Sequence, residues 1–255
     1  MTVLVAIPYY RNADYIEHAV GSALLQTYDD IVVLVAGDGE TPPNIRSAHT
    51  RGRFGSLNGK QLRAVTFPTN EGAPLTQQAM LLGSPYEWYA PMGADDWLDP
   101  EYIERLLSLG TKANASGEIW HNDTEQSLVH DRAHTEFGVF DADLLRSVGG
   151  YGIDRRCGQD TLLYEDILPH VCPVTYLDVP NYHKRLHPGS LTADPATGYG
   201  SAYRAEVVTH NHEVRAFCES FGWDPVMVRT YRDRLAASFS DVLGARVAMV
   251  REALA

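Results

Sequence analysis

The sequence predicts an α/β fold, a mostly parallel central sheet flanked by helices, and three observations predict it. Val3 to Ile7 and Ile31 to Ala36 are short, unbroken apolar runs, the pattern of strands covered on both faces. The segment after the first run carries Tyr15, Ile16, Ala19, Val20, Ala23 and Leu24 at three- and four-residue spacing, the period of an amphipathic helix. Acidic residues stand where strands should end, Asp38 after the second run and Asp95-Asp96 after the fourth, at the edge where open α/β sheets bind ligands. Strands that alternate with helices imply right-handed crossovers and parallel pairing.

The elements follow in order. Pro8 closes the first strand, and Asn12 or Asp14 is placed to cap the first helix. Gly37-Asp38-Gly39-Glu40 ends the second strand in a tight turn whose glycines should push the Asp38 carboxylate into the open. Residues 41 to 62 hold two prolines, three glycines, Arg46, Arg51, Arg53 and Lys60 with little periodicity; they read as a long loop whose cations are solvated or meet an anion. Arg63 to Phe67 is a third strand, and Asn70-Glu71-Gly72 turns into a helix over about 74 to 83. Tyr86, Trp88 and Tyr89 belong to a fourth strand. Asp99 and Pro100 supply an N-cap and a first helical residue for a helix bearing Ile103, Leu106 and Leu107.

From Glu118 the rhythm changes to short strands at 118–121, 127–130 and 137–140, then a helix over about 141–148 closed by Gly149-Gly150. A helix over 160–168, a strand over Val174–Val179 and a glycine- and alanine-rich stretch to Gly200, read as a lid, come next. Residues 201–254 are helical in pattern with a break near Gly222 to Pro225.

Composition narrows the chemistry. At 255 residues, 44% hydrophobic and 21% charged, the chain can bury a substantial core. A formal net charge of −12 argues against wide binding to a phosphate backbone. Cys157, Cys172 and Cys218 have neither metal-like nor redox-like spacing, which favours a reduced chain. No apolar run approaches the ~20 residues of a membrane span, and the first residues read as a strand rather than a signal peptide. The expected location is the cytoplasm or the surface of a membrane. A dinucleotide fold needs Gly-x-Gly-x-x-Gly after the first strand, where this chain has Pro8-Tyr-Tyr-Arg-Asn12, and no Walker loop is present. What remains is acid at two strand ends. Adjacent acids alone make a solvated turn; with further acids and histidines they can hold a divalent cation, which turns a nucleoside diphosphate into a good leaving group.

Several blocks, taken together, resemble glycosyltransferase family 2, the inverting enzymes of GT-A fold. They are Val5-Ala-Ile-Pro-Tyr-Tyr-Arg-Asn12, Ser22-x-x-x-Gln26-Thr-Tyr28, Val35-Ala-Gly-Asp-Gly-Glu40, Asn70-Glu-Gly72, Gly93-Ala-Asp-Asp-Trp97, Gly149-Gly-Tyr151, Gly158-Gln-Asp160 and Arg185-Leu-His187-Pro-Gly-Ser-Leu-Thr192. The resemblance implies a Rossmann-like sheet in a GT-A domain over 1–192. Residues to about 98 would bind the nucleotide sugar and about 99–192 would form the acceptor side, with the lid and a helical extension over 193–255. It implies that Asp38 contacts the nucleobase beside Pro8 and Tyr10, and that Asp95 approaches ribose or metal. Asp96 would be the main ligand of Mn2+ or Mg2+, helped by His187, with Arg185 on phosphate and Asp160 as general base. The donor would be a nucleoside-diphosphate sugar, uridine-linked before guanosine- or thymidine-linked, and the acceptor a hydroxyl of a saccharide, lipid-linked glycan, protein or modified base. The C-terminal helices would pack on the sheet, form a homodimer contact or bind a partner.

The chain departs from the family pattern at Gly37, Gln77-Gln78, Gly93 and Gln159, where acids or an Arg-Asn pair are usual. Two other readings stand beside transfer: a nucleotide-sugar-binding protein that has lost catalysis, suggested by Gly93 and Gln159, and a metal-dependent phosphoesterase or nucleotidyltransferase using the same acids.

Overall fold

A computed structural model describes residues 1–43, 45, 59–121, 126–129 and 137–255. The basic loop residues Arg46, Arg51 and Arg53 lie outside the described residues. The main sheet has seven strands. β1 (Val3–Tyr9) pairs in parallel with β2 (Ile31–Asp38) and with β4 (Trp88–Pro91), and β2 pairs in parallel with β3 (Gln61–Phe67). β9 (Gly138–Asp141) runs antiparallel to both β4 and β6 (Ala113–Ala115), and β10 (Thr175–Tyr176) closes the order β10-β6-β9-β4-β1-β2-β3.

The unbroken apolar strands are explained by two cores, one on each face. Val3, Val5, Ile7, Ile31, Val33 and Val35 pack with Ile16, Ala19, Val20 and Ala23 of α1 (Ile16–Leu24). Leu4, Ala6, Val32, Leu34 and Ala36 pack on the opposite face with Ala79 and Met80 of α2 (Ala73–Gly83). Period-two alternation thus feeds both faces.

A second sheet of four strands, in the order β5-β11-β7-β8, lies downstream of β4. Its members are β5 (Trp97–Leu98), β7 (Glu118–His121), β8 (Gln126–Val129) and β11 (Tyr182–Arg185), with β11 antiparallel to β5 and parallel to β7. α3 (Tyr102–Ser108) and α4 (Ala142–Ser147) flank the sheets. A helical run follows from α5 (Gln159–Thr161) through a π-helical segment (Leu162–Ile167) to α6 (Leu168–Val171).

The C-terminal helices belong to the core on the α2 face of the sheet. α7 (Ala202–Ser220) is capped by Ser201, and α8 (Pro225–Leu235) by Asp224, whose carboxylate accepts from Val226 N and Met227 N at 3.0 Å. α9 (Ser240–Leu254) lies on α2 so closely that a Cβ on Gly83 would stand 2.6 Å from Val250. Val214, Cys218, Val228, Val247, Val250 and Leu254 all join the core over β1 and β2. Among the described residues no helix is long and apolar enough to cross a membrane.

Three expectations are corrected. Asp99 does not cap α3, which begins at Tyr102. Gln26 of the Ser-x-x-x-Gln block does that work from α1, its Oε1 accepting from Ile103 N at 3.0 Å and its Nε2 donating to Asp99 O at 2.7 Å. The strand expected over Val174–Val179 shrinks to Thr175–Tyr176, while β6, β5 and β11 form where the sequence showed no strand pattern, because pairing partners rather than periodicity define strands this short. Lys60 is neither solvated nor open to a ligand anion: it is buried, donates to Gln26 O and lies 3.9 Å from the Asp29 carboxylate.

Candidate functional site

The acidic turn connects β4 to β5, and β11 grips it. Tyr182 donates its hydroxyl to Asp96 Oδ2 at 2.7 Å and accepts from Gly93 N at 3.0 Å. Arg185 N donates to Asp96 Oδ1 at 2.9 Å. Asp96 is 4% exposed, and its carboxyl is pushed up to about 7, by burial first and by the neighbouring Asp95 charge second. Gly93 is what permits this packing, since a Cβ there would lie 2.3 Å from Asp96 Oδ2 and 3.0 Å from Asp95 Oδ1. The departure from the family's leading acid is therefore built into the turn.

Asp95 is the more open acid. Its Oδ2 accepts from His187 Nε2 at 2.9 Å, and its backbone carbonyl accepts from Arg185 Nε at 3.0 Å. The Arg185 guanidinium lies 4.8 Å from the ring centres of both Tyr15 and Trp97, held by cation–π contacts on two sides. Trp97 stacks on His183 at 5.0 Å, and Tyr15 meets His187 at 4.7 Å. His183 joins Asp99 Oδ1 and His121 Nε2, each at 2.9 Å. A carboxylate can only accept, so His183 donates to Asp99 from Nε2. Burial lowers the pKa of His121 and of His18, with the charges of His183 and Arg185 adding to it.

Asp38 is corrected by the structure: it is not in the open but 2% exposed. Its oxygens accept from Glu71 N at 3.0 Å and Gly72 N at 2.8 Å, and Arg246 of α9 pairs with it at 2.9 Å. The carboxylate is turned inward to hold the Asn70-Glu71-Gly72 turn. Gly39 fits against that turn because it has no Cβ, which would come within 2.5 Å of Asn70 N, and its φ is +78°. From the other side, Arg156 donates to Asn70 O at 3.3 Å and to the Asn70 side chain. Pro8 is half-buried in register with Ala36. Tyr10 is 40% exposed with Arg11 over its ring.

Asp160 stands in α5, its Oδ1 accepting from Thr161 N at 2.9 Å; burial raises the pKa of Tyr151 and Cys157, and the Asp160 charge adds a smaller push in the same direction. The preceding Gly158, at φ +73°, lies so close to α7 that a Cβ would meet Val207 at 2.8 Å, and its carbonyl accepts from Asn211. Tyr203 of α7 accepts from Arg156 N at 2.9 Å through its hydroxyl oxygen. The loop carrying Asp160 is thus tied both to the Asn70 turn and to the C-terminal helices. Gln77 and Gln78 hold scaffold contacts: Gln77 to Tyr89 Oη, Gln78 to Tyr151 N and Gly149 O.

A divalent cation would find one oxygen and one nitrogen donor, Asp95 and His187, in mutual contact. Asp96 fits less well than the sequence suggested, because both its oxygens already accept hydrogen bonds. Among the described residues no third His, Cys, Asp or Glu completes a group able to hold a metal; magnesium-type ions are commonly held by one or two carboxylates plus substrate phosphates. His187 Nδ1 accepts from Gly189 N at 3.2 Å, which places its proton on Nε2. Ligation through Nε2 would require that proton on Nδ1 instead, and the His187-Pro-Gly turn to release Gly189.

Direct contacts therefore join Asp95, Asp96, Arg185 and His187, while Asp38 and Asp160 anchor two further loops. Sequence reasoning missed Tyr182, Arg156 and Arg246. Tyr182 precedes the Arg185 block, which was a usable signal; Arg246 stands in an ordinary helical pattern and carried none.

The model of Glycosyl transferase family 2 matches residues 4–161. Over 105 residues the chain is 30% identical to a chondroitin synthase of Pasteurella multocida (strain Pm70) and equally to a hyaluronan synthase of Pasteurella multocida, a match that covers 41% of this chain and 10% of each synthase. The matched stretch is thus about a tenth of the length of these curated relatives. Among solved structures, S. aureus TarS 1–349 in complex with UDP superposes with a TM-score of 0.60 at 15% identity, covering 74% of this chain and 61% of that one. TarS 1–349 with UDP-GlcNAc gives 0.59 at 13%, covering 99% and 89%. The mannosyltransferase PcManGT from Pyrobaculum calidifontis, with GDP-Man and Mn2+, gives 0.52 at 15%, covering 96% and 78%. These likenesses show the GT-A fold.

Proposed function

The chain belongs to glycosyl transferase family 2, and on that premise we propose that it moves a sugar from a nucleoside-diphosphate sugar, uridine-linked, to an acceptor hydroxyl with inversion at the anomeric carbon. The observation that carries this reading is the contact of Asp95 with His187 at 2.9 Å, backed by Arg185: two metal-type donors and a cation at the carboxyl edge of a parallel sheet. That TarS is seen with UDP and UDP-GlcNAc, and PcManGT with GDP-Man and Mn2+, supports the donor class and the cation.

In this mechanism the Asp160 carboxylate takes the proton of the acceptor hydroxyl as its oxygen attacks the anomeric carbon, while the bond to the diphosphate breaks on the opposite side. General-base assistance of this kind contributes about 10²–10⁴-fold in rate. Arg185, fixed between Tyr15 and Trp97, offers positive charge to the departing diphosphate. Asp95 would hold a Mn2+ or Mg2+ as its carboxylate ligand, with His187 joining it, and the ion would supply positive charge to neutralise that diphosphate. Asp96 serves the turn: ranked by access, Asp95 takes the role that sequence resemblance gave to Asp96. Asp38 acts on the nucleobase side through the turn it holds. Residues 1–192 form the transferase domain.

The test is nucleotide release and sugar transfer from a panel of nucleotide sugars with Mn2+ and candidate acceptors. Transfer that requires the cation, and disappears in Asp160→Asn and Asp95→Ala, supports the reading. Transfer that persists in Asp160→Asn removes that base; thermal stabilisation by donor without turnover means binding alone; cleavage of simple phosphoesters without sugar means a different reaction.

A further inference from the structure

Arg246 is among the largest fully buried side chains, 1% exposed, and it comes from α9, 85 residues beyond the last residue matched by the family model at 161. Its Nη1 donates to Asp38 Oδ1 at 2.9 Å and to Thr76 Oγ1 at 3.0 Å, and its Nη2 donates to Thr69 O at 2.6 Å. The guanidinium lies 4.4 Å from the Phe67 ring centre. One side chain therefore ties together the end of β2, the end of β3, the turn 69–72 and the first turn of α2. Asp38, which it pairs, accepts from Glu71 N and Gly72 N of the same turn. The turn stands at the carboxyl edge of the parallel strands, where such sheets bind ligands.

We propose that Arg246 is a positioning residue for the donor: through Asp38 it sets the Thr69–Gly72 turn against which the nucleoside diphosphate sits, so the C-terminal helix completes the donor half of the site. The proposal rests on the nucleotide-sugar reading above. A planar guanidinium is needed because three acceptors at fixed angles must be met at once; an ammonium on the same stem can satisfy Asp38 but not Thr69 O and Thr76 together. Simple removal would leave Asp38 charged, buried and unpaired, which is strongly destabilising, whereas replacing both partners of a buried pair is often tolerated.

The test compares wild type, Arg246→Lys and the double variant Asp38→Asn/Arg246→Met. Binding of UDP, GDP and TDP is measured by calorimetry with Mn2+, transfer kinetics are split into donor KM, acceptor KM and kcat, and amide hydrogen exchange is followed at Glu71 and Gly72. For Arg246→Lys the expected results are nucleoside-diphosphate binding weakened about tenfold or more and donor KM raised to match, from loss of hydrogen bonds to charged groups. Acceptor KM and kcat at saturating donor should stay within about twofold of wild type, since uniform binding is what is lost. Exchange at Glu71 and Gly72 should accelerate while β1 and β2 stay protected. The double variant should fold and show the same donor defect. Wild-type donor binding in the folded double variant, or faster exchange spread equally over β1 and β2, would overturn the proposal and leave the pair purely structural. If wild type binds none of the three nucleotides, the donor reading itself fails and takes this inference with it; the exchange data then still report whether Arg246 orders the turn.

Discussion

Tyr182 and Asp96 share a hydrogen bond of 2.7 Å across 86 residues of sequence, and the same phenol oxygen accepts the Gly93 amide. One buried side chain of the second sheet thus holds both ends of an acidic turn that the first sheet projects. Tyr182→Phe removes the donor to a buried carboxylate and leaves the Gly93 amide without its acceptor. The expected cost is about 1.5–3 kcal/mol, read as a lower denaturation midpoint with an unchanged m-value.

Asp96 makes stability depend on pH with a defined sign. Its ordinary value is 3.8 and its value in the fold is about 7, so between these the folded protein binds more protons than the unfolded chain. The contribution of this group is greatest below about pH 4, falls as pH rises toward 7 and levels off above it, with a slope of at most about 1.4 kcal/mol per pH unit. Melting temperatures of the metal-free protein from pH 4.5 to 8 should show a steeper decline for wild type than for Asp96→Asn. Parallel curves would mean that Asp96 is not perturbed.

Gly93→Ala places a methyl group 2.3 Å from Asp96 Oδ2, and Asp96 can yield only by leaving Tyr182. Overpacking of this kind costs about 1–3 kcal/mol. The measurable outcome is a lower melting temperature in which adding Tyr182→Phe costs less than it does in wild type, because the shared hydrogen bond is already gone.

Asp95→Asn should raise the Mn2+ concentration needed for half-maximal transfer, with His187→Ala acting in the same direction and Asp96→Asn having the smaller effect. Asp160→Asn should lower kcat by about 10²–10⁴-fold with nucleoside-diphosphate affinity unchanged. A larger metal defect in Asp96→Asn than in Asp95→Asn would restore the assignment suggested by sequence alone.

Strands β1 and β2 were legible because five and six consecutive apolar residues, Val3 to Ile7 and Ile31 to Ala36, have few other fates in a chain of this composition. The Ser22-x-x-x-Gln26 block could be seen but not understood from sequence; its side chains bond Leu98 N, Asp99 O and Ile103 N, pinning the segment just after the acidic turn. Asp99-Pro100 has the pattern of a helix cap, and such a pair looks the same in sequence whether its carboxylate faces a helix amide or, as here, His183. The second sheet was not legible as a sheet, since β5 has two residues and β11 four, too few for a period to register.

The sequence by itself determined the α/β class, the placing of acids at strand ends and the family, because local periodicity and ordered motif blocks are properties of neighbouring residues. The tertiary structure alone decided which acid is open and which is committed. Asp95 and Asp96 are adjacent and chemically alike; Tyr182 and the Arg185 amide, 86 and 89 residues away, bury one, and His187 meets the other. In the same way Arg246 reaches Asp38 across 208 residues. Burial and charge pairing are set by what the fold brings alongside, and no pattern of near neighbours encodes that.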